Sequence, residues 1–226
     1  MKIVKHNWLF WSLLCLDTAV VVIHLLGQDV YGFFRLDGEQ NLNSLFAGLK
    51  FLSIGALTLM QFFILQKIDE NIIKRIVWLL VTVSFVYLGL DEMAALHERI
   101  GFVLNNLRGA TDAEGASFNW IVYYAPLILV ALLVYARFIA LTLKEHRPAA
   151  MYMSAGILLF MTGLGVEVVS ARIVYPRGIM SGDFTLYFAS VLIEETAELV
   201  GATCFLVGVW KSFTKSFQQN LVWKKT

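Results

Sequence analysis

Six apolar stretches, each close to the length of one membrane crossing, leave this chain a single class of fold. They are residues 8–26, 44–66, 76–97, 120–143, 151–174 and 184–210. A hydrocarbon core ~30 Å thick takes about 20 helical residues to cross. Only a helix or a closed barrel satisfies its own backbone there. The sequence therefore predicts an all-α, polytopic membrane bundle of six transmembrane helices, one integral domain over 1–226 with a basic tail at 211–226. Composition agrees: 58% of residues are hydrophobic and 15% charged, where a soluble domain carries about 25% charged residues.

Loop charge sets the expected orientation. Lys2, Lys5, Lys67, Lys74, Arg75, Lys144, Arg147, Lys211, Lys215, Lys224 and Lys225 fall on one side. Arg35, Arg99, Arg108, Arg172 and Arg177 fall on the other. Both termini are expected in the cytoplasm, in a plasma (inner) membrane. The apolar run after Lys5 lacks a small-x-small cleavage site and contains Asp17, so it reads as a retained helix and not a signal peptide. Cys15 and Cys204 each lie inside an apolar stretch and read as small core residues. The net charge of +1 says nothing about partners, and no basic run suggests a nucleic-acid partner.

The exceptional feature is acid inside the spans. A carboxylate at a helix centre costs roughly 3 kcal/mol on insertion scales. Here Asp91-Glu92-Met93-Ala94-Ala95-Leu96-His97-Glu98 closes the third stretch, and Glu194-Glu195-Thr196-Ala197-Glu198 lies within the sixth. With ~1.5 Å of rise per residue, Asp91, Glu194, Glu167 and His24 each fall ~24 Å above the basic end of their own helix. Lys50 falls ~25 Å above Lys67. Five helices thus place an ionisable group in one layer, in the outer half of the membrane. Glu194 and Glu198, four apart, share a face, as do Asp91 and Glu98, seven apart. Glu195 lies about 100° from Glu194, and His97 about 140° from Glu92. On an unbroken helix those last two cannot face one site.

Crowded carboxylates raise one another's pKa or call for a cation. The acids of the layer outnumber the cations near them. A divalent metal is therefore the expected cofactor: Zn, Fe or Mn, with Ca or Mg if no histidine takes part. Expected ligands are Asp91, Glu167, Glu194 and Glu198, with His24 or His97 supplying nitrogen. Glu98 and Glu195, at the margin, are the candidate general bases. Lys50 and Arg172 are expected to offset part of the charge. Deeper in the membrane, Asp17 and Arg137 are expected to form a structural ion pair. The plainer alternative for the layer is an ion-pair network with no chemistry of its own.

Site chemistry of this kind fits a metal-dependent membrane enzyme acting on a lipid or lipid-linked substrate. A cation- or proton-coupled transporter is the alternative, supported by a weak match of 91–96 with 194–199 that suggests two three-helix repeats. That repeat is opposed by depth, since inverted repeats exchange positions through the midplane. A non-catalytic subunit of a membrane complex is the third possibility. Membrane lipids, and a second copy of the chain in a homodimer, are the expected partners.

Overall fold

The computed structural model describes residues 7–27, 41–68, 71–107, 120–174 and 185–223. All its elements are helical: α1 Trp8–Gly27, α2 Leu42–Ile68, α3 Ile72–Ala94, α4 Leu96–Leu107, α5 Trp120–Glu145, α6 Arg147–Val169 and α7 Thr185–Trp223. A π-helical turn, Ser170–Val174, extends α6. Five segments are long and apolar enough to cross a membrane: Trp8–Leu26, Leu42–Lys67, Ile72–Ala94, Trp120–Glu145 and Arg147–Val174. The chain is a multi-pass membrane protein. Large apolar side chains such as Leu26, Leu133 and Leu158 point outward, as a lipid-facing surface requires. Of the outer loops expected at 27–43, 99–119 and 175–183, residues 99–107 belong to α4, Gly27 to α1, and Leu42 and Asn43 to α2; residues 28–40, 108–119 and 175–183 lie outside the described residues, as do Lys2, Lys5, Arg35, Arg108, Arg177, Lys224 and Lys225.

Several boundaries differ from the sequence expectation. The helix expected over 76–97 stops at Ala94; Ala95 adopts a left-handed conformation (φ 52°, ψ 46°), and a new helix starts at Leu96. The helix expected from Met151 begins at Arg147, because Pro148 suits a first turn, where its missing N–H is no loss. The expected basic tail is, as far as Trp223, a continuation of α7, which runs for 39 residues.

Helix α7 is the axis of the bundle, packed on α6, α2 and α1. Small residues at intervals of seven make its closest seam. A Cβ on Gly156 would stand 2.9 Å from the Gly201 carbonyl oxygen, and one on Gly208 2.9 Å from that of Ala149. A second seam joins α2 to α3, where a Cβ on Gly48 would stand 3.0 Å from the Gly89 carbonyl. Without a hydrophobic drive between helices in lipid, close backbone approach of this kind provides the association. Between the seams sits an aromatic core. Phe85 meets Phe205 at 4.7 Å between centroids, and Trp78 stands edge-on to Phe138 at 4.7 Å.

Gly156→Ala drives its methyl into backbone that cannot yield. It is expected to lower thermal stability in detergent by about 1–3 kcal/mol. Gly165→Ala meets nothing within 4 Å and is expected to leave stability unchanged, or to raise it by about 0.5–1 kcal/mol. Equal melting temperatures for the two variants would remove the seam from this account.

Candidate functional site

A cavity of about 780 Å³ opens among α2, α3, α5, α6 and α7. Its floor is the edge of the aromatic core: Phe51, Phe85, Tyr135 and Phe160. Its shaft is apolar, with Leu88, Ile128, Ala131, Leu132, Ile157 and Leu164. Its other end is acidic, and Asp91, Glu92, Glu98, Glu167, Glu194, Glu195 and Glu198 all reach it. Among the described residues lining it, His97 is the one basic side chain, and no lysine or arginine takes part.

The break at Ala95 brings this end together. Asp91 Oδ1 accepts the backbone N–H of His97 at 2.7 Å, and Oδ2 meets the His97 ring at Nδ1, 2.9 Å away. The carboxylate thus anchors the start of α4 across the interruption and fixes the imidazole. Because the helix is interrupted, Glu92 and His97 line one cavity, which an unbroken helix would forbid. A left-handed alanine costs roughly 1–2 kcal/mol, and these two Asp91 contacts offset it. Glu98 falls in the first turn of α4, where the helix dipole favours negative charge.

From His97 the contacts run around the cavity. Its ring lies 4.5 Å from that of Trp120, and Trp120 Nε1 donates to Glu167 Oε1 at 2.9 Å. Glu194 stands within electrostatic reach of both Glu167 and Glu198. Glu198 lies along Gly163, where a Cβ would come within 3.0 Å of its Cγ. Asn43 Nδ2 donates to Glu195 Oε2, which turns Glu195 toward the cavity. The Tyr87 and Tyr124 hydroxyls share a hydrogen bond of 2.8 Å. Trp120, Tyr124 and Asn43 were not singled out in the sequence. Trp120 does carry a signal, as an amphipathic ring at the end of a span. Asn43 carries none beyond its place at a helix start.

Of the expected metal ligands, Asp91, Glu167, Glu194, Glu198 and His97 line the cavity, and so do the candidate bases Glu98 and Glu195. His24 is buried on α1 and is not part of the lining. Among the described residues, no three His, Cys, Asp or Glu side chains stand close enough together to hold a metal ion. The acids encircle the space without converging on one point.

The expected ion pair is corrected. Asp17 is buried and pairs with Lys50, not with Arg137, which is exposed on α5. Lys50 Nζ also donates to the Leu199 carbonyl at 3.1 Å, and Thr203 Oγ1 donates to the other Asp17 oxygen at 2.7 Å. Lys50 therefore serves Asp17 and does not compensate the cavity acids. Arg172, exposed and outside the lining, does not compensate them either. Counting rise along a helix places Cα atoms, whereas a lysine head sits at the end of a long flexible stem. Of the two cysteines, Cys204 is buried and Cys15 is exposed.

Breaking a buried pair leaves an uncompensated charge, at a cost of about 3–5 kcal/mol, whereas apolar replacement of both partners is close to neutral. Lys50→Met is thus expected to destabilise the protein strongly in detergent unfolding, and Lys50→Met with Asp17→Leu to recover most of the loss. A double variant no more stable than the single one would refute the pairing.

Comparisons with curated proteins and with solved structures return no match. Residues 8–212 match the family model described as a domain of unknown function (DUF8692), and the chain belongs to that family.

Proposed function

We propose that the protein is a membrane enzyme acting on a lipid or lipid-linked substrate held in this cavity. The observation that carries it is the union of an apolar shaft and an acidic end in one space. A volume of about 780 Å³ lies within the range of small-molecule sites, ~300–1,000 Å³. Val83, Leu127 and Met161 line the space and are also exposed on the lipid-facing side of the bundle. An acyl or isoprenoid chain entering from the bilayer meets apolar side chains first and the carboxylates at the far end. In the same reading α7 is a sixth span, both termini are cytoplasmic in a plasma (inner) membrane, and a homodimer is admissible.

The acidic end suits a positive charge, and a divalent cation is the occupant we propose. Glu167, Glu194 and Glu198 are the donors, together with the Asp91–His97 pair. Holding an ion requires these side chains to draw together. Such an ion supplies an activated water or oxygen at neutral pH. The residues themselves do the rest. Asp91 fixes the orientation and tautomer of His97, the role a carboxylate takes behind a ligating or basic imidazole. Glu98 and Glu195 are the proposed general bases, and Asn43 holds Glu195 in position. An anionic headgroup would be repelled here unless the cation accompanied it.

One observation favours transport as a second reading. Glu198 faces the cavity, while the carbonyl of the next residue, Leu199, accepts from Lys50. The acidic end and the buried Asp17–Lys50 pair are therefore back to back across α7, which gives a proton or cation two neighbouring ionisable stations.

Metal analysis of the purified protein, loaded and then dialysed, is expected to find a stoichiometric divalent ion. Glu194→Gln and Asp91→Asn should lose it, and Glu145→Gln, at the far end of the bundle, should keep it. A metal-free wild type after loading would overturn the metal requirement. Ala131→Trp fills the shaft and is expected to abolish lipid co-purification, read by mass spectrometry, in a folded protein. Undiminished lipid in that variant would sink the substrate class. Ion flux in proteoliposomes that disappears in Glu198→Gln would support transport over catalysis.

A further inference from the structure

A second hollow lies at the opposite end of the bundle, where α3 begins, α5 meets α6 and α7 continues past them. Its volume is about 300 Å³, and its wall includes Lys74, Glu145, His146, Ser212, Lys215 and Ser216. The acid in this wall is already engaged. Glu145 Oε1 binds Lys74 Nζ at 2.6 Å, and its main-chain carbonyl accepts from Lys215 Nζ. Among the described residues of the wall, Lys74 and Lys215 against Glu145 leave one positive charge in excess, with Lys211 one turn before Lys215 on α7.

One polar group here lacks the partner such groups ordinarily have. His146 Nδ1 is buried without a hydrogen bond among the described residues. Ser212, 4% exposed, belongs to the same wall. Burial, and then the charges of Lys215 and Lys211, holds the His146 imidazole below the usual histidine pKa. The two ammonium groups add to the effect of burial. Two ammonium groups, a hydroxyl and an imidazole around one space form a donor set for an oxyanion. Beside it, Leu65 lines the hollow, and Ile72 and Ile73 are exposed at the start of α3, so apolar surface continues from the polar wall toward the lipid.

We propose that this hollow binds a phosphate group, with Lys74 and Lys215 neutralising it and Ser212 and His146 donating to its oxygens. The group comes from an anionic phospholipid or from free phosphate. The site is independent of the acidic cavity and of any reaction there.

Thermal unfolding of the full chain in a neutral detergent, with phosphatidylglycerol, phosphatidylcholine or inorganic phosphate added, tests this. Phosphatidylglycerol is expected to raise Tm of the wild type, and Ser212→Ala with Lys215→Gln to lose most of that rise. An equal rise with inorganic phosphate assigns the site to the free ion; a rise with phosphatidylglycerol alone assigns it to the lipid. No rise with either, or a rise undiminished in the double variant, overturns the proposal. Should the double variant fold poorly, the His146 titration followed by NMR in the wild type decides. A bound anion favours the imidazolium and moves its pKa upward, and a titration unmoved by saturating phosphatidylglycerol and by phosphate refutes the site.

Discussion

The structure depends on how closely α6 and α7 approach. In lipid no solvent drives two apolar helices together, so the contact has to come from backbone meeting backbone, and residues without a side chain permit it. Gly156 against Gly201 and Gly208 against Ala149 set that distance. Its chemical consequence appears one heptad further along. At Gly163 the same absence of a side chain leaves room for the stem of Glu198, and Glu194 comes within reach of Glu167 on the facing helix. A seam of small residues thus becomes a frame for carboxylates. The Gly48–Gly89 seam does the same for α2 and α3, and it brings Asn43 and Asp91 to the same cavity.

Much of this was legible in the sequence, for physical reasons. A helix has a fixed rise, so carboxylates equally far from their basic ends come to similar heights, and Asp91, Glu167 and Glu194 do line one cavity. A fixed angle per residue put Glu194 and Glu198 on one face. The same arithmetic failed wherever its assumptions did. It treated 76–97 as one unbroken helix and so separated Glu92 from His97. Alanine is the best helix former, and nothing about Ala95 announces a left-handed residue; the cause is Asp91, six positions before His97, whose carboxylate stabilises the restart. The arithmetic also placed Lys50 by its backbone, whereas its charge acts at the end of the side chain beside Asp17. His24 shows a third limit: depth along a helix does not say which way a residue faces, and α1 turns it away from the cavity.

The two kinds of charge in the membrane have different surroundings. Asp17 and Lys50 are sealed among α1, α2 and α7, each satisfied by the other and by Thr203 or the Leu199 carbonyl. Such a pair contributes little net stability against apolar residues, but it admits few alternative packings. The acids of the cavity line open space and face one another. The buried pair fixes where α1 docks against α2 and α7, and the cavity acids line a space.

Helix α7 passes through all of these places without interruption. Glu194 and Glu198 lie toward one end, Thr203 is at the ion pair, and Ser212 and Lys215 are toward the other. At ~1.5 Å per residue, Glu198 and Lys215 are ~26 Å apart along one hydrogen-bonded rod. A rod of this kind transmits displacement along its axis. The acidic cavity and the hollow at the other end of the bundle are built against this one continuous strut.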